Sequence, residues 1–249
     1  MAKYTILTPA GASFTTAGGG YDYEMEALEG LDAEMVECPA TEEGFIAAAS
    51  SADAVYAKGM KFTAAMINAL TKCRHIALGT VGVDYVDVAA ATAKGIPVTN
   101  CPDTFIEEVA DHAMMLLLAA HRRCIEQDRM VREGRWAEGR PQLLTVPRLM
   151  GQTLGFIGFG RVARATARRA KAFGLHLKAY DPYLEDLGMS ALGVEPATLS
   201  EVLSTSDFVS MHLPDTPESR GFLKEQHFRQ MKKTALFITT GRGPTVNEA

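Results

Sequence analysis

The chain is poor in cysteine and tryptophan and has no long apolar run. It carries four cysteines (Cys38, Cys73, Cys101, Cys124) and one tryptophan in 249 residues. No two cysteines form a C-x-x-C pair, and no histidine cluster stands beside them. That argues against a disulfide scaffold and a structural zinc site. It predicts reduced, mostly buried thiols in a cytoplasmic protein, and no metal. The most apolar stretch, "AMMLLLAA" (113–120), is bounded by His112 and His121 and is far too short to span a bilayer. The opening "MAKYTILTPAGASF" has no basic segment followed by an apolar one, so no secretory signal is visible. Positive charge is also in short supply. The formal net charge is −5, and neutralising phosphates needs a basic surface. Neither nucleic acid nor an anionic membrane is expected as a partner.

What the chain does have is an alternation of strand-like and helix-like pieces. "KYTILTP", the run centred on Ala54–Ala57, "HIALGT" and "GIPVTN" read as strands. "TAAMINAL" and "DYVDVAAATAKG" read as helices, the second ended by Gly95. Strand, helix, strand in this rhythm predicts a parallel sheet covered by helices. From about Thr104 to Glu133 turn signals vanish. Thr104 with Glu107 three residues later forms a capping box, which predicts one long helix. The segment with Pro141 and Pro147 reads as a loop into a second α/β unit. At 249 residues the chain has room for two domains.

The second unit holds the chemical signal. Gly158-x-Gly160-x-x-Ala163 follows an apolar strand and opens a helix, and the next strand ends in Asp181, near the ~20-residue spacing of a dinucleotide site. Gly158 allows the tight turn, Gly160 lets a pyrophosphate approach the backbone, and Ala163 lets helix and strand pack. The helix start offers free N–H groups to phosphate. The other reading of Asp181 is that it only starts the turn "DPY". A carboxylate there accepts both ribose hydroxyls and repels a 2′-phosphate. With no arginine in "YDPYLEDLG", NAD is expected over NADP. Arg161 is placed to reach a phosphate. Arg164, Arg168, Arg169 and Lys171 read as a solvated face.

Taken together, "GVDYVDVAAATAKGIPVTN", "EVADHAMMLLLAAHRR", "GQTLGFIGFGRVA", "AYDPY", "SDFVSMHLPDTPESRGFL" and "MKKTALFITTGRGPTVNEA" resemble the D-isomer-specific 2-hydroxyacid dehydrogenases. "NCPDTFIEEVADHA" is most similar to the branch containing the carboxyl-terminal binding proteins. The resemblance implies two doubly wound α/β domains with the active site in the cleft: a flavodoxin-like substrate domain over residues 1–118 and a Rossmann NAD-binding domain over 119–249. It implies reversible reduction of a 2-keto acid to a D-2-hydroxy acid by NADH.

Carried over by position, Arg242 becomes the catalytic arginine that grips the substrate carboxylate and polarises the keto oxygen. Val81 and Gly82 hold the carboxylate through backbone N–H groups, with Val81 also near the cofactor. Gly158, Gly160, Arg161, Val162, Asp181, His212, Leu213, Thr216, Thr240 and Gly241 line the cofactor. His212 is then a cofactor contact, not the proton donor. His112 reads as a core or interdomain histidine and Trp136 as packing.

The phosphoglycerate branch has basic residues in two loops where this chain has Ala57 and Leu78, with Lys58 as a partial substitute. A small unphosphorylated acid such as glyoxylate, hydroxypyruvate or pyruvate is the expected substrate. The resemblance also implies a homodimer. Its alternative is an NAD(H)-sensing module that binds protein partners. The family's glutamate and histidine, a carboxylate-tuned proton donor, lie beyond "GRGPTVNEA". A truncated sequence is therefore expected, with little turnover from these residues alone and "ALFITT" left as an apolar sheet edge.

Overall fold

The computed structural model describes residues 4–11 and 21–248, the side chain of Gln142 apart. The ends of the opening segment (1–3 and 12–14) and Ala249, which closes the last matching stretch, lie outside the described residues. The chain divides into two compact units, one through Thr104 and one from Phe105. The boundary placed at 118/119 from sequence falls inside a helix whose whole length belongs to the second unit.

The first unit runs β1 (Tyr4–Pro9), α1 (Asp22–Ala27), β2 (Ala33–Cys38), α2 (Glu42–Ala48), β3 (Ala54–Ala57), α3 (Ala64–Ala69), β4 (Ile76–Leu78), α4 (Val88–Ala93) and β5 (Val98–Thr99). All neighbours pair in parallel, in the order β2-β1-β3-β4-β5. The order reverses between β1 and β3, which is the flavodoxin-like arrangement and places a ligand crevice at the carboxyl ends of those strands. Strands this short survive because Leu7, Val55 and Ile76 are fully buried between helix layers. Thr41, Thr63 and Asp87 cap α2, α3 and α4 through their side chains. Gly95 stops α4 at φ +68°, as its position predicts.

The second unit runs α5 (Ile106–His121), α6 (Cys124–Arg132), α7 (Trp136–Leu144), β6 (Thr153–Ile157), α8 (Arg161–Ala172), β7 (His176–Tyr180), α9 (Asp186–Ser190), β8 (Glu195–Pro196), α10 (Leu199–Thr205), β9 (Phe208–Met211), α11 (Glu225–Phe228) and β10 (Leu236–Thr239). Its sheet, also parallel, has the order β10-β9-β6-β7-β8, with β10 at one edge. Numbered within the unit, this is the doubly wound order 3-2-1-4-5, with its switch point between β6 and β9.

The same device starts both sheets. Asp53 accepts the Thr5 N–H and pairs with Lys72, while Asp207 accepts the Thr153 N–H and pairs with Lys232. In each unit one carboxylate ties the amino ends of two adjacent strands, where backbone donors would otherwise lack a partner.

Several expectations change. The single long helix is two, α5 and α6. Thr104 does not cap it: the residue before α5 is Phe105, left-handed at φ 64°, with no side-chain cap. Arg123, also left-handed at φ 52°, breaks the chain between α5 and α6. The proline-containing loop is partly α7, with Pro141 inside it. Trp136 is 53% exposed, so it is not a packing residue. His112 is exposed on α5; His121, at the end of the same helix, is buried and set edge-on against Phe208. Only Cys38 and Cys73 are buried; Cys101 and Cys124 are exposed, and all four are free. The basic face of α8 is not simply solvated: Arg168 and Arg169 pair with Glu107, and Arg169 with Asp111, on α5. These surface pairs are screened by water and join α8 to α5.

Gly155 shows how close that packing is. A Cβ there would collide with the buried Ser206 hydroxyl and come within 2.7 Å of Val202 Cγ1 on α10. Gly155→Ala is expected to destabilise the second unit by about 1–3 kcal/mol. Chemical denaturation checks this, and an unchanged midpoint would mean that α10 retreats freely.

Candidate functional site

The site in the second unit is built on the turn between β6 and α8. β6 ends at Ile157, and Gly158 takes φ +80°, a conformation that a side chain disfavours. A Cβ on Gly158 would also lie 2.9 Å from Leu213 Cδ2 and 3.4 Å from the His212 carbonyl oxygen. Gly160 is the N-cap of α8 and has no side chain to satisfy the helix's first N–H groups. A Cβ at Gly160 meets nothing within 4 Å, so the space in front of this backbone is open. Ala163 is fully buried in the core with Phe156 and Ala179. The three positions thus have the geometry their spacing requires.

Asp181 is the first residue past β7. Its Oδ2 accepts the Phe159 N–H at 2.8 Å, inside the glycine turn. Its Oδ1 accepts the Tyr183 N–H at 2.9 Å. The carboxylate therefore starts the "DPY" turn and is also stitched to the phosphate-type loop. A carboxylate has roughly four acceptor positions, so about two remain for donors from outside. Gly158, Gly160, Asp181, His212, Leu213 and Thr216 all line one cavity of about 380 Å³ at the carboxyl edge of this sheet. Arg161 and Val162 open α8 beside this turn but do not line the cavity.

His212 follows β9 and donates its N–H to the Ile157 carbonyl at 2.9 Å. Its Nε2 lies 2.9 Å from Ser210 Oγ and its Nδ1 3.1 Å from Thr240 Oγ1. Burial pushes its pKa down to about 4. The imidazole is neutral at physiological pH, and both nitrogens are engaged by hydroxyls, so it stands in the cavity wall as a neutral ring and not as an imidazolium. Between about pH 6.5 and 4 the unfolded chain carries a proton here that the folded chain does not. Stability is therefore fully present above pH 6.5 and declines as pH falls through this window, by about 3 kcal/mol in all. Urea unfolding at pH 7.5 and pH 5 should show a loss in the wild type that is clearly smaller in His212→Asn. Equal losses in the two proteins would remove His212 as the cause.

Thr240, Gly241 and Arg242 follow β10. A Cβ on Gly241 would lie 2.7 Å from the Leu213 carbonyl oxygen, so the end of β10 passes directly against the loop after β9. Arg242 stands just before the short 3-10 turn Gly243–Thr245. Asp215 is held below the usual carboxylate range, foremost by its hydrogen bonds with Arg220 and also by the charge of Arg242. β10 thus delivers the guanidinium to the carboxyl edge of its sheet.

In the first unit, Lys58 follows β3 and the loop Gly79–Val83 follows β4, so both also stand at a carboxyl edge. The loop is pinned. Thr80 Oγ1 donates to the Gly82 carbonyl, Asn100 Nδ2 to the Val81 carbonyl, and the Cys101 N–H to the Thr80 carbonyl. Lys58 and Thr80 line a small cavity of about 170 Å³. Lys58, Val81 and Gly82 are thereby brought to one edge. Glu24 and Tyr56 are hydrogen-bonded beside Lys58 although 32 residues separate them, and no spacing rule marks either. Among the described residues, no group of three or more His, Cys, Asp or Glu gathers as a metal site, and no helix is long and apolar enough to cross a membrane.

Residues 114–249 match the model of the D-isomer specific 2-hydroxyacid dehydrogenase NAD binding domain. The chain belongs to this family. It is 42% identical over 186 residues to a glyoxylate reductase of Korarchaeum cryptofilum, covering 74% of this chain and 56% of that protein. It is 34% identical over 239 residues to a D-3-phosphoglycerate dehydrogenase of Mycobacterium bovis, covering 96% and 43%. The chain thus spans about half the length of the curated relatives it matches. The holo form of Rhodotorula graminis D-mandelate dehydrogenase superposes with TM-score 0.86 at 22% identity, over 100% of this chain and 76% of that one, and shows the shared fold. The second unit of this 2-hydroxyacid dehydrogenase family member is a nicotinamide dinucleotide-binding domain, and the Gly158–Gly160 turn with Asp181 is its candidate site.

Proposed function

We propose that the protein carrying this chain is an NAD-dependent oxidoreductase that reduces small 2-keto acids to D-2-hydroxy acids. The observation that carries the reading is Asp181, bonded through one oxygen to the glycine turn and lining the same cavity as Gly158 and Gly160. A carboxylate at this place favours NAD over NADP, because it accepts ribose hydroxyls and repels a 2′-phosphate. When bound, the nicotinamide supplies the hydride. Gly158, Gly160, Arg161 and Val162 present backbone and the α8 N-terminus to the pyrophosphate. His212, Leu213, Thr216, Thr240, Gly241 and Val81 contact the rest of the cofactor. Arg242 grips the substrate carboxylate and polarises the keto oxygen, work suited to a planar, permanently charged donor. The backbone of Val81 and Gly82 offers N–H groups to a substrate carboxylate, and Lys58 stands at the same edge of the first unit.

The four free thiols accord with a reducing compartment, and we place the protein in the cytoplasm. A homodimer fits the second unit. An apolar groove of about 650 Å³ runs along α5 by Met114, Met115, Leu118 and Phe173, and Ile125, Val131 and Leu144 are exposed on α6 and α7. The test takes the protein at the intact mass at which it is isolated. NADH fluorescence is titrated first, and loss of absorbance at 340 nm is then followed with glyoxylate, hydroxypyruvate and pyruvate. Tight NADH binding with oxidation by at least one of these acids is expected. No binding of NADH would overturn the cofactor assignment, and binding without oxidation would overturn the activity.

A further inference from the structure

Resting on that reading, we propose that Glu24 is a specificity-determining residue. It neutralises Lys58 and so directs the first unit's carboxyl edge to acids with a single anionic group. Among the described residues, Lys58 is the one cation lining the small cavity at this edge, which Met60, Leu78, Thr80 and Tyr85 share. Its Nζ lies 3.9 Å from Glu24 Oε1 and 5.9 Å above the centre of the Tyr56 ring, and its side chain is only 14% exposed. Glu24 is itself fixed, because Tyr56 donates its hydroxyl to the same carboxylate oxygen. Burial, with Glu24 second, pushes the Tyr56 phenol well above its usual range, so that proton stays on the donor. Tyr21 braces the cluster. Its ring meets Tyr56 edge-on at 6.2 Å, and its hydroxyl donates to the Pro9 carbonyl at 3.0 Å.

Gly79 is what makes room. A Cβ there would collide with the Tyr56 hydroxyl and come within 3.3 Å of Lys58 Cδ. The ammonium is therefore packed on a ring and paired with a carboxylate, in a pocket too tight for free rotation. A phosphate or second carboxylate on a substrate needs an unpaired cation to offset its desolvation. Here it would have to displace Glu24, or sit beside that like charge. A monoanionic acid bound by its carboxylate alone meets no such penalty.

The test uses the full chain and two probes, glycolate and phosphoglycolate, read by calorimetry and by backbone amide shifts. Glu24→Gln keeps an oxygen to accept the Tyr56 hydroxyl but removes the charge. Glu24→Gln should bind phosphoglycolate about tenfold tighter or more, with glycolate changed by less than about twofold. The gain should vanish in the double variant Glu24→Gln with Lys58→Met. An unchanged phosphoglycolate affinity, an equal gain for both probes, or a gain that survives Lys58→Met would each overturn the proposal. The amide shifts separate this from the broader reading. Glycolate should move the Gly79–Gly82 amides in the wild type. If it does not, the substrate reading of this edge fails, whereas a phosphoglycolate gain that depends on Lys58 still upholds the role of Glu24.

Discussion

Alanine at Gly158 should damage both folding and dinucleotide binding, whereas alanine at Gly160 should damage binding alone. The two glycines lie two residues apart but face different constraints. At Gly158 the backbone is at φ +80°, which costs a side chain about 1–2 kcal/mol, and the new methyl would press on Leu213 at 2.9 Å. Leu213 is the flexible end of that contact; the His212 carbonyl at 3.4 Å is not. A loss of about 1–3 kcal/mol of stability follows. At Gly160 the backbone is at φ −74° and ψ −161°, which alanine adopts, and its Cβ meets nothing. Gly160→Ala should melt within about 0.5 kcal/mol of the wild type. Its methyl nevertheless stands in the open space a pyrophosphate must enter to reach the backbone. Losing one charged hydrogen bond there weakens NADH by about tenfold or more. Denaturant midpoints and NADH fluorescence titrations on both variants check the pair. If Gly160→Ala kept full NADH affinity, the phosphates would have to bind elsewhere.

The second large effect concerns Asp181. Removing the carboxylate takes away the acceptor for the ribose hydroxyls, each such bond being worth about 1.5–3 kcal/mol. Asp181→Ala should weaken NADH by about tenfold to a hundredfold. NADPH, freed from repulsion by the carboxylate, should lose much less or gain, so the preference between the two narrows or inverts. The same substitution leaves the Phe159 and Tyr183 N–H groups without their partner, which loosens the glycine turn itself. Titrating Asp181→Asn alongside separates these causes, because the amide keeps one acceptor oxygen for the turn while losing the charge that rejects a 2′-phosphate. Equal losses of NADH and NADPH in both variants would show that Asp181 only shapes the turn.

The geometry of the candidate dinucleotide turn was legible in the sequence because its constraints are local. Gly158, Gly160 and Ala163 act within one turn, and Asp181 lies one strand later, so their spacing states the geometry almost directly. The same holds for Gly95, where a left-handed stop ends α4. Elsewhere local signals were overruled. The Thr104/Glu107 capping box is real as a pattern, yet Glu107 pairs with Arg168 and Arg169 on α8, and the helix begins after a left-handed Phe105. The exposure of Trp136 could not be read from residue type, because α6 and α7 pack on each other and leave an open face.

Periodicity and glycine placement act over a few residues, so the two α/β units, the parallel sheets and the candidate dinucleotide turn could be read from residue order. What each charge does emerges from the folded arrangement. Arg169 is an α5–α8 clamp, His212 is a neutral wall held by Ser210 and Thr240, and Lys58 is held by Glu24. Electrostatic partners are chosen by distance in space, and a parallel sheet brings together side chains that the chain keeps tens of residues apart.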